Sequence, residues 1–187
     1  MVPASATDGP RDVSELVIPG PGFGRPIEVG DLDVCLEYSV RVYALSKHKA
    51  FERSLAGANV RKAAMVNHDT RAYFLTEVGT SEGVTALFLF DRETGSLISA
   101  RALETPVTKF LPESIEETKN NIRNWRNRAH IEKPLEEKLI EYPPLRWESS
   151  REFGSPYFPF MEIGGEADRV FLGINGVAYR YLREARA

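Results

Sequence analysis

Apolar positions along the chain fall into two periods. The first is the unbroken run Ala86–Phe90, rich in strand formers and too short for a buried helix, which predicts a strand covered on both faces. Asp91 ends the run and Arg92-Glu93-Thr94-Gly95 supplies a turn, with glycine where positive φ is needed. Leu97 to Leu103 then alternates more loosely, so a hairpin over Val84–Leu103 is expected, with its first strand central in a sheet. Val60–Val66 and Tyr73–Val78 read as further strands joined by Asn67-His68-Asp69-Thr70. A short helix over Thr70–Gly79 is the other reading of that stretch. Near the end, Met161–Ile163, Arg169–Ile174 and Val177–Leu182 read as strands, with Asn175-Gly176 as a two-residue hairpin turn.

The second period is helical. Ile115, Thr118, Ile122, Trp125 and Ala129 recur at spacings of three and four, predicting a helix over Pro112–Ala129 that packs on the Val84–Leu103 hairpin. Ser114 and Glu117 have capping-box spacing, and acidic residues lead while Arg123, Arg126, Arg128 and Lys133 follow, as the helix dipole favours. A shorter helix restarts at Pro134, with Leu135, Leu139 and Ile140 on its apolar side. Residues 31–55 support two readings. One is a strand or mixed segment over Val34–Tyr43, then a helix over Ser46–Leu55 ending near Gly57. The other is one long helix capped at Asp31, against which the β-branched Val40 and Val42 weigh. Strands and helices do not alternate regularly. The expectation is therefore an α+β domain over residues 31–187, a mainly antiparallel sheet packed against two or three helices. Residues 1–30 interleave five prolines with five glycines and read as a flexible arm, within which Leu16-Val17-Ile18 suits an edge strand.

Composition narrows the classes. With 24 basic against 27 acidic residues the chain is mildly acidic, which argues against broad nucleic-acid binding. The start lacks a basic region followed by an apolar run, and no stretch approaches the ~18 apolar residues that span a bilayer. A cytoplasmic protein without a membrane partner is expected. Cys35 is the one cysteine, flanked by Val34 and Leu36, and reads as a buried, inert thiol.

Candidate chemistry is sparse. His48, His68 and His130 lack metal-ligand spacing, and no HExxH, CxxC or GxSxG pattern occurs, so no catalytic residue, metal or cofactor is assigned. His68-Asp69 has the makings of an acid–base pair but sits in an expected turn. Gly20-Pro21-Gly22-Phe23-Gly24 mimics a phosphate loop, yet Pro21 deletes a needed amide. The basic cluster around Trp125 follows an acidic first turn and reads as the solvated end of a helix whose tryptophan faces the core. The proline-stiffened run after Glu141 concentrates aromatic surface, and Tyr142, Trp147, Phe153, Tyr157, Phe158 and Phe160 are the candidate partner-binding residues, unless they cover one end of the core.

Three pieces carry a family resemblance: Thr70–Gly79, the turn Asp91-Arg92-Glu93-Thr94-Gly95, and Phe110-Leu111-Pro112-Glu113-Ser114-Ile115 opening the helix. In this order they resemble the SUKH superfamily of bacterial immunity proteins, relatives of the Smi1/Knr4 regulators, over about residues 70–125. The resemblance implies a non-enzymatic α+β protein that binds another protein, a toxin or enzyme, and neutralises it by occluding its active site. The strand end Asp-x-x-Thr-Gly-x-Leu is also similar to PepSY and cystatin-like inhibitor modules. The competing expectations are a small enzyme with a site assembled from dispersed residues such as His68 and Asp69, and a structural subunit of a larger assembly. Oligomeric state is open.

Overall fold

Four strands, β1 (Asn59–His68), β2 (Arg71–Thr80), β3 (Gly83–Asp91) and β4 (Leu97–Val107), pair antiparallel with their chain neighbours. A computed structural model describes residues 20–129, 139, 141–166 and 169–185, with the backbone alone for 124–129. Beyond β1 the sheet continues through β5 (Leu145–Arg146), which runs parallel to β1, then β6 (Phe160–Ile163), β7 (Val170–Gly173) and β8 (Ala178–Tyr179), all antiparallel. The order is β4-β3-β2-β1-β5-β6-β7-β8, a mostly antiparallel, curled sheet. Three α-helices accompany it among the described residues: α1 (Leu32–Val42), the single turn α2 (Lys49–Glu52) and α3 (Ile115–Ala129). The fold is α+β, as the patterning predicts.

Strand alternation sends side chains to two faces. Tyr73, Leu75, Leu87 and Leu89 point to one, where Ile122 of α3 and the segment from Leu145 onward meet them. Phe74, Val78, Ala86, Phe88 and Phe90 point to the other, beneath Ile27 and the Leu32, Cys35 and Leu36 face of α1. The first is the aromatic face below, the second the α1 face. Closure of the aromatic face is hydrogen-bonded. Tyr73 Oη donates to the Pro156 carbonyl at 2.7 Å, and Tyr157 Oη donates to Ser99 Oγ of β4 at 2.8 Å. The far half of the curled sheet is thus tied back to its opposite end.

The hairpin over Val84–Leu103 forms around Gly95, whose φ is 68°. Only glycine suits this site, since an added Cβ would lie 3.1 Å from both Cys35 Sγ and Ile27 Cγ2. β3 is flanked by strands on both sides as expected, whereas β4 is the sheet's edge. Thr105-Pro106 does not end β4. It is taken up as a register irregularity between the pairs Ala86↔Ala102 and Val84↔Val107, which an edge strand tolerates.

Several expectations are corrected. Val34–Tyr43 is not a strand, and one long helix does not form either: α1 follows Asp31, whose side chain makes no cap hydrogen bond to it, and ends at Val42. Leu32, Cys35, Leu36 and Ser39 are buried at helical spacing, while Val34 and Val42 point to solvent, where β-branching crowds nothing. Asp31 holds the chain there by accepting from Arg25 at 2.8 and 3.1 Å and from the Glu28 N–H at 2.8 Å. The hydrogen bond from Arg25 lowers the Asp31 pKa. The helix expected over Ser46–Leu55 is a 3-10 turn at Leu45–Lys47 followed by α2. Thr70–Gly79 is strand β2, not helix. α3 starts at Ile115 because Ser114 Oγ caps it, accepting from the Glu117 N–H at 3.1 Å. Residues 20–30, expected within the arm, pack on the α1 face: Ile27 is buried and its N–H donates to the Arg92 carbonyl at 2.7 Å. The arm's first nineteen residues, His130, Lys133, most of the helix expected from Pro134, and the side chains of Trp125, Arg126 and Arg128 lie outside the described residues. Leu139 of that segment is buried in the aromatic core.

Candidate binding groove

The helical period of α1 gives it a second stripe besides the buried one. Asp33, Leu36, Glu37, Val40, Arg41 and Ala44 recur at three- and four-residue spacings along one side. This stripe, Leu55, and the start of β1 from Ala58 to Val60 enclose a groove of about 630 Å³, open along one side. Its floor is apolar, from Leu36, Val40, Leu55 and Val60, and its rim carries Glu37, Arg41 and Lys47. None of these three charges has an ion-pair partner among the described residues; Arg41 sits 5.8 Å over the Tyr38 ring. Asp33 is already engaged, its Oδ1 accepting the Val60 N–H at 3.3 Å, and so joins helix to strand at one end. At the other end Ala44 turns the chain in a left-handed conformation, φ 48°, and brings Ser46 and Lys47 back to the rim.

β1 itself is incompletely paired. On one side β2 covers it throughout, but on the other β5 meets only Val66 and Asn67. The sequence explains the stop. Continuing the parallel register would set Pro144 opposite Met65 and Pro143 opposite Ala64, and proline has no N–H to give a ladder. The edge from Arg61 to Met65 therefore meets no strand among the described residues, and the Met65 side chain is 45% exposed.

The aromatic residues expected to anchor a partner lie elsewhere. Trp147, Phe153, Tyr157 and Phe160 are buried and Phe158 is half-buried; Tyr142 is exposed. Trp147 Nε1–H donates to the Phe153 carbonyl at 3.0 Å, and the Phe153 ring centroid is 4.7 Å from that of Phe160. As surface anchors these five are corrected: strands β5 to β8 are too short to cover the sheet unaided, so the run between β5 and β6 fills the space beneath them.

His68 and Asp69 are adjacent in the β1–β2 turn. His68 Nε2 is 3.9 Å from Asp69 Oδ2, while Nδ1 lies 3.0 Å from the Trp147 carbonyl. Asp69 is largely exposed, and neither residue lines the α1–β1 groove. Cys35 is fully buried, and burial pushes its thiol up to about 11. A second, shallower cleft of about 460 Å³ lies over β6 and β7. Three of its charges answer one another, Glu162 bridging Arg146 at 2.8 Å and Arg169 at 2.9 Å, while Glu148, Glu166 and Arg180 have no ion-pair partner among the described residues. Among the described residues no three His, Cys, Asp or Glu side chains gather as a metal site, and no helix is long and apolar enough to cross a membrane.

The groove residues escaped sequence reasoning because a strand reading of 34–43 scatters them to both faces. The available signal was the second three-four stripe, Asp33 to Ala44. The Pro143-Pro144 pair was the signal for the bare edge.

Compared with known proteins, the chain matches no family model, no curated protein and no solved structure. Those comparisons neither support nor oppose the SUKH resemblance over residues 70–125.

Proposed function

We propose that this protein is a non-enzymatic binding module that receives another protein in the α1–β1 groove. The observation that carries the reading is the groove's construction: an apolar floor beneath three rim charges, Glu37, Arg41 and Lys47, that no described residue neutralises. An apolar floor supplies affinity on burial, and charges at the rim select the partner and speed its approach. The finer version follows from the resemblance. The partner is a toxin or other enzyme, and binding occludes its active site in the manner of an immunity or regulatory protein.

The test is site-specific photocrosslinking in host cells, with the reactive amino acid installed at Val40 in the groove or at Tyr181 in the β6–β7 cleft. A single protein adduct from Val40 and none from Tyr181 is the expected result. Absence of an adduct, or the same adducts from both positions, overturns the proposal. For the immunity version, the crosslinked protein is co-expressed with and without this chain. Toxicity of that partner, relieved by the wild type and not by Val40→Glu, is expected. A harmless partner removes the immunity version.

A further inference from the structure

Resting on the protein-binding proposal above, we infer that the groove's occupant is an extended segment of the partner, which adds to the bare edge of β1 as a new strand. Three observations converge on this.

The first is the direction of the main chain. The Trp147 N–H donates to the Asn67 carbonyl at 2.9 Å, so Asn67 turns its polar groups away from β2. Alternation along an antiparallel strand gives Met65 and Ala63 the same outward direction, back to the irregularity between Val60 and Lys62. The parallel bridge Val66↔Leu145 engages the Met65 carbonyl, but the Met65 N–H and both main-chain groups of Ala63 continue the row at strand spacing and meet no strand among the described residues. A helix cannot satisfy such a row, since its own main chain is already bonded; an extended segment can.

The second is continuity between edge and groove. Ala63 and Val60 both pack toward the α1 face, and Met65 lies on the same side of the strand as Ala63. A strand laid along Ala63–Met65 therefore directs alternate side chains toward the α1 side, and continued past Val60 it enters the groove between β1 and the Leu36–Val40 stripe. The helical stripe from Asp33 to Arg41 is about 12 Å long at helical rise, the span of about four extended residues.

The third is charge. The four charges lining the groove balance, Asp33 and Glu37 against Arg41 and Lys47, but they are segregated, with both cations toward the Ala44 end and neither in an ion pair among the described residues. The complementary segment alternates apolar side chains and carries an acidic one toward the Arg41–Lys47 end.

The probe is a displayed library of random linear peptides selected on the full chain. Enrichment of sequences with alternating apolar residues and an acid is expected. Binding should weaken about tenfold with Val40→Glu, and about tenfold when the peptide is N-methylated at alternate residues but not at the intervening ones, as loss of one main-chain hydrogen bond implies. Tyr181→Ala should leave binding unchanged. N-methylation alters the peptide alone, so this arm stands even where a groove substitution disturbs folding. Peptides insensitive to Val40→Glu in a folded variant, or to N-methylation at every position, overturn strand addition. If Val40 crosslinks a protein yet no linear peptide is enriched, strand addition fails while the binding module stands; if neither occurs, both fail.

Discussion

The two faces of the sheet are covered by different means. Over the aromatic face the cover is the curled end of the sheet together with α3, and four of its polar side chains are hydrogen-bonded to named partners. Tyr73, Tyr157 and Trp147 each donate to a named acceptor, and Glu77 accepts the Phe110 and Leu111 N–H groups at 2.7 and 2.5 Å. Over the α1 face the cover is one helix of three turns, short turns and residues 20–30. There the Tyr43 and Thr76 hydroxyls are buried without a partner among the described residues, and Ala44 holds a left-handed turn. Polar groups left unmatched and backbone held off its preferred regions lower stability, and such departures concentrate where a surface serves something other than folding. The groove lies on that second side. On the proposed reading, the aromatic face supplies the fold's stability and the α1 face carries the proposed partner contact.

The largest way to break the contrast is at the closed face. Phe160→Ala removes a fully buried ring packed on Phe153 and Phe171 and should cost about 3–5 kcal/mol by urea unfolding. A cost near 1 kcal/mol would mean that the curled half adds little.

Alkali separates the faces by pH. Burial pushes Tyr157 from 10.0 up to about 12 and Cys35 from 9.0 up to about 11. Each is an acid whose folded pKa is raised. The unfolded chain therefore releases its proton first, and stability falls as pH rises through the interval between the two values. Loss should begin near pH 9 with Cys35 on the α1 face, and continue between pH 10 and 12 with Tyr157. Cys35→Ala should flatten the first part of a stability–pH curve, and Tyr157→Phe should reduce the second without abolishing it, since burial also raises Tyr73 and, on the α1 face, Tyr43. An unchanged curve in either variant removes that assignment.

Two smaller changes sharpen the comparison by repairing the α1 face. Thr76→Val replaces a buried, unpartnered hydroxyl with a methyl of similar shape and should stabilise by about 1 kcal/mol. Ala44→Gly relieves the left-handed turn after α1 and should raise stability by about 0.5–1 kcal/mol, net of the entropy glycine adds to the unfolded chain. Both gains are read as shifts of the denaturation midpoint at constant slope. Losses of similar size would indicate that these positions are already at their optimum.

The aromatic face was largely legible in the chain, since Ala86–Phe90 and the Ile115–Ile122 spacing depend on local period. The Asn175-Gly176 turn is likewise local chemistry. What failed was long-range. Trp147 and Phe160 allow two readings in the sequence, partner anchors or cover for one end of the core, because prolines interrupt the segment, and the second is the one observed. Burial of that segment is decided by the curl of a sheet whose last four strands include two of only two residues. The α1 face failed for a local reason. Val34, Val40 and Val42 favour strand by composition, but tertiary burial of Leu32, Cys35, Leu36 and Ser39 overrides that weak preference. The groove went unseen with the helix that forms it.

Between Arg61 and Met65 β1 is paired with β2 alone among the described residues, and amide hydrogen exchange on the free protein tests that bare edge most directly. Ala64 and Val66 turn their N–H groups to β2, whereas Ala63 and Met65 turn theirs outward. The expected result is alternation along one strand, slow exchange at Ala64 and Val66 and fast exchange at Ala63 and Met65. Uniformly slow exchange across all four would mean that the chain covers this edge itself, and would contradict the account.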